Sequence, residues 1–235
     1  MSTGIGLETG GHGPHAGQRL VTTGAPLSRA SAVAVMLHGR GGQPADMVGL
    51  AEHLGLPDLA VVATTAAGHS WWPDSFLAPL DANEPGLGSG LSVVEAVLDS
   101  LSAEGVTAGQ IVLMGFSQGA CLALEAAARL ARPFRAVAAL SGGLVGTQDT
   151  AEPGSEALYG HRPKQFDYAG RLDGVPVLIG CHERDPHIPL ARVQQSERKL
   201  QEMGANVETM IIPGAGHGII EQEATWLRKH LNTGP

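Results

Sequence analysis

The segment Ile111-Val112-Leu113-Met114-Gly115-Phe116-Ser117-Gln118-Gly119-Ala120 decides the fold of this chain. An aliphatic run typical of a buried strand meets the pattern Gly-x-Ser-x-Gly, and an alanine-rich helical pattern follows. Such a strand–turn–helix junction holds the serine in a sharp, strained turn, where glycines on either side avoid collisions with neighbouring backbone. Glycine supplies 33 of the 235 residues, so chance alone produces the bare pattern about one time in four. The strand before the pattern and the helix after it indicate that this match is not accidental.

Apolar runs and helical patterns alternate outward from this junction. The apolar runs are nearly continuous, which is typical of parallel strands that are buried on both faces. Strands are predicted at 18–23, 32–37, 59–64, 111–115, 135–140, 175–180 and 207–212, and helices at 44–54, 91–101, 117–130, 191–203 and 219–231. The alternation predicts one α/β domain over residues 18–235, with a doubly wound, mostly parallel sheet of about seven strands flanked by helices.

The composition narrows the class of protein. Acidic residues outnumber basic ones by 23 to 15, for a net charge of −8, and no basic cluster follows a phosphate backbone, so nucleic acid is not expected as a partner. Cys121 and Cys181 lie in apolar surroundings and are predicted to be buried free thiols, which suits a reducing compartment. We find no signal-peptide pattern and no apolar run near the roughly 20 residues that span a bilayer. We expect a cytoplasmic protein without stable membrane insertion.

Two segments contain metal-binding residue types without predicting a metal site. Residues 1–17 hold six glycines and are predicted to be a flexible tail, in which His12 and His15 are solvated. The segment 181–187 contains a cysteine, two histidines and two carboxylates. Alternate side chains of an extended loop diverge, however, so we expect no metal in either segment.

Two loops downstream supply the groups that activate a serine. A serine hydroxyl needs a base that takes its proton, and the base needs an acid that orients it. Asp185 follows the strand 175–180, and His217 lies between glycines after the strand 207–212. Because parallel strands end at the same edge, both are predicted to lie beside Ser117, in the chain order of hydrolases with an open sheet. Glu183 is the alternative for the orienting acid.

The glycine-rich turn Leu37-His38-Gly39-Arg40-Gly41-Gly42 follows the strand 32–37. Such a turn directs a backbone N–H towards the oxygen on which charge develops during acyl transfer. We predict an oxyanion hole formed by the backbone N–H groups of Arg40 and Gln118. His38 is predicted to hold the turn by hydrogen bonding rather than to act as a base.

At this point the chain resembles the phospholipase/carboxylesterase group of α/β hydrolases, which includes acyl-protein thioesterases. The motifs are His-Gly-x-Gly-Gly, Gly-Phe-Ser-Gln-Gly-Ala, Asp-Pro-His-Ile-Pro and Gly-Ala-Gly-His-Gly, over roughly residues 30–230. The resemblance implies an α/β-hydrolase fold and a cofactor-free esterase with the triad Ser117, Asp185 and His217. Arg40 departs from the thioesterase pattern, which usually has an apolar residue there.

We therefore expect a serine carboxylesterase that acts on short- to medium-chain esters of small molecules. An acyl-protein thioesterase, a lysophospholipase-like hydrolase and a lactone or dienelactone hydrolase are the alternatives. Long loops at 66–90 and 141–174 lie where α/β proteins bind ligands. The candidate substrate contacts are Trp71, Trp72, Phe76 and His187, and the alternative for the three aromatic residues is packing of the loop itself. Exposed aromatic loops are also compatible with a homodimer.

Overall fold

A seven-stranded sheet forms the centre of the molecule in the computed structural model, which describes residues 10–232. Its strands are β1 (Val21–Gly24), β2 (Ala32–Leu37), β3 (Leu59–Ala63), β4 (Ile111–Phe116), β5 (Ala136–Leu140), β8 (Pro176–Arg184) and β9 (Asn206–Ala215). The spatial order is β1-β3-β2-β4-β5-β8-β9, and every neighbouring pair is parallel except β1 with β3. This confirms the predicted mostly parallel sheet. Two short strands, β6 (Gln148–Asp149) and β7 (Lys164–Gln165), pair separately.

Five helices cover the two faces of the sheet. They are α1 (Pro44–Leu54), α2 (Gly86–Ala103), α3 (Gln118–Leu130), α4 (Leu190–Glu202) and α5 (Glu221–Leu231). Side chains of β2 alternate between two apolar clusters, so that Val35 packs with α2 and α3 whereas Met36 packs with α1 and α5. Within residues 10–232, no helix combines the length and the apolar character that crossing a membrane requires.

Helix α2 begins at Gly86, five residues before the predicted start at 91. Glycines at 86, 88 and 90 weaken the helical signal in its first turns. Packing explains one of them, because a Cβ on Gly86 would lie 2.6 Å from the carbonyl oxygen of Trp71. The helix therefore starts within the long loop that the sequence predicted, and its first residue packs against Trp71 of that loop.

Strands β8 and β9 extend beyond the predicted ends at 180 and 212. Their pairing continues to Arg184 and Ala215, with an irregularity in register between His182 and Arg184. The extension carries the following loops, which hold Asp185 and His217, past the ends of β4 and β5. A local shift in register also turns the strand, which is how such irregularities direct side chains into a site.

Residues 10–17 differ from the predicted flexible tail. They lie against α2, where the backbone N–H groups of His12 and His15 donate to the hydroxyls of Ser92 and Ser89 at 3.0 and 2.9 Å. Contrary to the expected solvation, the His15 side chain is buried. Residues 1–9 of the predicted tail lie outside the described part of the chain.

The buried carboxylate of Glu125 fixes the start of the long loop after β5. Glu125 projects from α3 and is fully buried, and it accepts hydrogen bonds from the backbone N–H groups of Val145 and Gly146 at 2.9 and 3.1 Å. The hydroxyl of Tyr168 and the guanidinium of Arg129 complete its partners at 2.7 Å each. A buried charge persists only when it is satisfied in this way, so the loop is fastened to the helix.

Arg192 of α4 is a second buried charge below the same loop. It donates to the carbonyl of Leu144 at 3.0 Å, and its guanidinium lies 5.7 Å from the ring centre of Phe76 and 5.3 Å from that of Phe166. Burial lowers the pKa of Arg192 to about 10. The group therefore stays charged at neutral pH, held by the carbonyl of Leu144, by the side-chain oxygen of Gln195 at 3.0 Å and by the faces of two rings.

Candidate active site

Ser117 lies in the turn between β4 and α3 with φ 54° and ψ −118°. A non-glycine residue in this conformation costs of the order of 1–3 kcal/mol, so the surrounding structure has to impose it. The Ser117 N–H donates to the carbonyl of Leu140 at 2.9 Å. The flanking glycines leave no room for a side chain, because a Cβ on Gly119 would lie 2.1 Å from the oxygen of Leu37, and one on Gly115 would lie 2.3 Å from the backbone of Gly119.

A continuous hydrogen-bonded chain connects the three residues that the sequence predicted as nucleophile, base and acid. The Nε2 atom of His217 lies 2.8 Å from the Oγ of Ser117, and its Nδ1 lies 2.8 Å from the Oδ2 of Asp185. The ring of Phe116 packs against the imidazole, with 5.1 Å between ring centres. The structure therefore brings together three residues that are separated by up to 100 positions in the chain.

Asp185 is buried and held in one orientation. Its Oδ1 accepts the backbone N–H groups of His187 and Ile188 at 2.8 and 3.1 Å, which leaves Oδ2 for His217. Burial opposes ionisation, but the hydrogen bonds from His217 and from the two backbone groups outweigh it and lower the pKa of Asp185. An ionised carboxylate only accepts hydrogen bonds, so Nδ1 of His217 carries the proton and Nε2 is free to accept from Ser117.

Glu183, the alternative acid, is not brought to His217. Its side chain is half exposed, and its carboxylate lies 3.4 Å from the N–H of Gly214 and 3.5 Å from the guanidinium of Arg184. Glu183 lies within the irregular end of β8, whereas Asp185 is the first residue after the strand.

The glycine-rich turn after β2 lies directly beside Ser117. A Cβ on Gly39 would lie 3.2 Å from the Cβ of Ser117, so the two segments touch. Among residues 10–232, the backbone N–H groups of Arg40 and Gln118 have no hydrogen-bond partner. Two unpaired donors beside a serine hydroxyl are the arrangement that binds an oxyanion.

His38 holds this turn from inside. Its Nδ1 donates to the carbonyl of Gly39 at 2.8 Å, and its Nε2 accepts the N–H of Ala66 at 3.1 Å. Burial lowers the pKa of His38, which favours the neutral ring that both contacts require. The contacts are those of a structural residue, as the sequence predicted.

The side chains of Arg40 and Gln118 fasten the aromatic loop that follows β3. The amide of Gln118 accepts the N–H of Trp71 at 2.9 Å and donates to the carbonyl of Trp72 at 2.8 Å. The guanidinium of Arg40 donates to the carbonyls of Pro73 and Asp74. Arg40, which departs from the thioesterase pattern, therefore connects the glycine-rich turn to the loop.

A cavity of about 690 Å³ opens above Ser117 and His217. Of the four predicted substrate contacts, Trp72, Phe76 and His187 line it. Trp71 does not. It is fully buried behind the cavity wall, where its indole N–H donates to the carbonyl of His38 at 2.9 Å. A buried indole takes a position where its N–H has an acceptor, and here the acceptor lies inside the protein.

Several cavity residues were not singled out as substrate contacts from the sequence. Tyr159 and His161 reach the cavity from the loop after β5, and Leu77 and Ile188 form apolar walls. The aromatic and histidine residues of a long loop at the end of a parallel strand were the available signal. Within the described range, no group of three or more His, Cys, Asp or Glu side chains is placed to hold a metal ion.

The sequence and the fold are similar to those of known esterases. A model of the Phospholipase/Carboxylesterase family matches residues 20–234. The crystal structure of a phospholipase/carboxylesterase from Dyadobacter fermentans DSM 18053 is 37% identical, with a TM-score of 0.81, over 94% of this chain and 99% of that one. The esterase PE8 is 27% identical, with a TM-score of 0.69, over 90% of this chain and 96% of that one.

More distant structures share the fold. A Bacillus cereus carboxylesterase is 19% identical, with a TM-score of 0.68, and covers 91% of this chain and 93% of its own. No curated protein sequence gave a match. The likeness to solved esterases confirms the α/β-hydrolase fold that the four sequence motifs implied.

Proposed function

Because this chain belongs to the phospholipase/carboxylesterase family, and is thus a serine hydrolase of carboxylic esters, we propose that it cleaves short- to medium-chain esters of small molecules through an acyl-enzyme on Ser117. The hydrogen-bonded chain from Asp185 through His217 to Ser117, with both contacts at 2.8 Å, carries the proposal. No other serine of the cavity has an imidazole within hydrogen-bond distance in the described part of the chain.

The reaction proceeds in two acyl transfers. His217 takes the proton of Ser117 as Oγ attacks the ester carbonyl, and Asp185 stabilises the imidazolium that forms. The N–H groups of Arg40 and Gln118 bind the oxyanion of the tetrahedral intermediate. When the intermediate collapses, the carbon–oxygen bond to the alcohol breaks and the alcohol leaves with the proton of His217. Water, activated by the same histidine, then releases the acid and restores Ser117.

The lining of the cavity favours an ester substrate with a compact acyl group. Phe76, Leu77 and Ile188 form an apolar surface, and each is at least nine-tenths buried, so the surface is part of the packed core. Arg40 and Asp74 lie at an exposed part of the lining. An apolar pocket with a polar mouth fits an ester whose acyl group enters and whose alcohol faces water.

Hydrolysis of a nitrophenyl ester series from acetate to palmitate tests the activity and the acyl length together. We expect the highest kcat/KM below eight carbons, and Ser117→Ala is expected to lose about 10⁶-fold in kcat. Matched thioester and lactone substrates distinguish the alternative hydrolases. A clear optimum at eight carbons or more would contradict the short-chain assignment, and equal turnover by Ser117→Ala would contradict the role of Ser117.

Covalent labelling gives a test that does not depend on the substrate. A fluorophosphonate is expected to add one phosphonyl group to Ser117, as mass spectrometry of the digested protein would show. Ser75 also lines the cavity, but its hydroxyl accepts the N–H of Leu77 at 3.2 Å and has no base. Ser75→Ala should therefore retain the label, whereas Ser117→Ala should lose it.

A further inference from the structure

The N-terminal segment 10–16 is attached to the loop behind the active site. It follows α2, where the hydroxyl of Ser89 receives the N–H of His15 at 2.9 Å and donates to the carbonyl of His12 at 2.6 Å. These contacts use the backbone of both histidines, and they bring the side chain of only one of them into the protein. His12 is exposed, whereas 3% of His15 is exposed.

The imidazole of His15 bridges two backbone groups of the aromatic loop. Its Nδ1 accepts the N–H of Ala67 at 3.1 Å, so its Nε2 carries the proton and donates to the carbonyl of Trp71 at 2.8 Å. The ring also meets the indole of Trp71 edge to face, with 5.3 Å between ring centres. Both ring nitrogens are thus used, which fixes one tautomer and one orientation.

Trp71 transmits this contact to both sides of the predicted oxyanion hole. Its backbone N–H donates to the side chain of Gln118 at 2.9 Å, and its indole N–H donates to the carbonyl of His38 at 2.9 Å. Gln118 provides one of the two N–H donors, and His38 begins the turn that provides the other. A displacement of Trp71 therefore acts on the side chain of Gln118 and on the carbonyl of His38, in the two segments that supply the donors.

We propose that His15 is a positioning residue for the oxyanion hole and acts through the carbonyl of Trp71. The inference rests on the proposed function, because it assigns His15 to the same reaction. Misplacement of a donor by about 1 Å costs up to 10²-fold in rate, since the donor binds the transition state and not the ground state. Loss of the contact should therefore lower kcat and leave KM nearly unchanged.

Two substitutions separate the two hydrogen bonds of His15. The amide nitrogen of His15→Gln reaches the position of Nε2 and donates to Trp71, whereas the amide oxygen of His15→Asn reaches the position of Nδ1 and accepts only from Ala67. We expect a ten- to hundred-fold loss of kcat in His15→Ala and His15→Asn, and recovery of most of it in His15→Gln. His12→Ala is the matched control, because the hydrogen bonds of His12 to α2 use its backbone and its side chain is exposed.

The measurement is kcat per active site, with sites counted by fluorophosphonate titration and folding followed by thermal denaturation. Counting sites removes the effect of unfolded protein, and the comparison of His15→Gln with His15→Asn decides the matter even when His15→Ala does not fold. Equal losses in the Gln and Asn variants, or a lowered melting temperature with unchanged kcat per site, would overturn the proposal. Absence of turnover in the wild-type protein, by contrast, would count against the proposed esterase activity itself.

Discussion

Replacement of Asp185 by asparagine tests how the acid directs the proton of His217. In the wild-type protein, Oδ1 accepts two backbone N–H groups, from His187 and Ile188. An asparagine must place its oxygen there, because an NH₂ group would face two donors. Its NH₂ is thereby forced towards His217, and it can only donate. The histidine then carries its proton on Nε2, which faces the hydroxyl of Ser117.

The expected cost follows from the loss of the base. With Nε2 protonated, Ser117 has no acceptor for its proton, and the wrong tautomer lowers kcat by about 10⁴-fold in a triad of this kind. The loss corresponds to about 5 kcal/mol in the activation barrier. The substitution keeps the size of the side chain and both backbone contacts, so KM and the melting temperature should change little.

The assay is hydrolysis of a short-chain nitrophenyl ester, with kcat expressed per titrated site, and ¹⁵N NMR of the histidine reports the tautomer. Glu183→Gln is the matched control, because it neutralises the neighbouring carboxylate that points away from His217. It should retain activity within about two-fold, as expected for an exposed group outside the site. A loss below ten-fold in Asp185→Asn, or an equal loss in both variants, would refute this account of the acid.

Two further predictions concern stability and packing. Burial raises the pKa of Glu223 from its ordinary 4.5 to about 7. An acid whose pKa is raised on folding contributes fully to the free energy of unfolding below its unfolded pKa, and this contribution is lost as the pH rises to 7. The stability of the wild type relative to Glu223→Gln should therefore fall by about 3 kcal/mol between pH 4.5 and 7, at 1.36 kcal/mol per pH unit. Denaturant unfolding at several pH values measures this, and parallel curves would contradict it. Gly119→Ala places a Cβ 2.1 Å from the oxygen of Leu37. It should lower the free energy of unfolding by at least 1–3 kcal/mol and remove most of the activity. Gly49→Ala in helix α1, where the new atom meets nothing within 4 Å, should be stable and fully active, and similar melting temperatures for the two would contradict the packing argument.

The catalytic residues that lie in short motifs could be predicted from the sequence. The order of Ser117, Asp185 and His217, each after an apolar run, is enough to predict that they meet, because parallel strands end at one edge. The sheet order and the register irregularity in β8 were not accessible in this way, since both depend on contacts between segments that are distant in the chain. The structure shows that Asp185, which the sequence predicted, contacts His217, and that Glu183 does not.

The positions of residues outside the motifs were harder to predict from the sequence. A glycine-rich segment at the start of a chain carries no periodic signal, so the burial of His15 depends on hydroxyls of α2 that the sequence does not connect with it. Trp71 was a candidate substrate contact with loop packing as the alternative, and the structure shows packing, with its indole N–H directed to the carbonyl of His38 inside the protein. The family model begins at residue 20, and a boundary drawn there would remove His15 although the fold would keep every motif.

The position of Arg192 affects any redesign of the acyl site. Phe76 lines the cavity and is an obvious position to replace when a larger substrate is wanted, but its ring also lies against the buried guanidinium of Arg192. A smaller side chain at 76 would enlarge the pocket and at the same time deprive a desolvated cation of one of its few favourable contacts. Leu77 and Ile188 border the same cavity, and neither supplies one of the ring faces that lie against that charge. We therefore expect substitutions at these two positions to widen the pocket without removing an aromatic contact from Arg192.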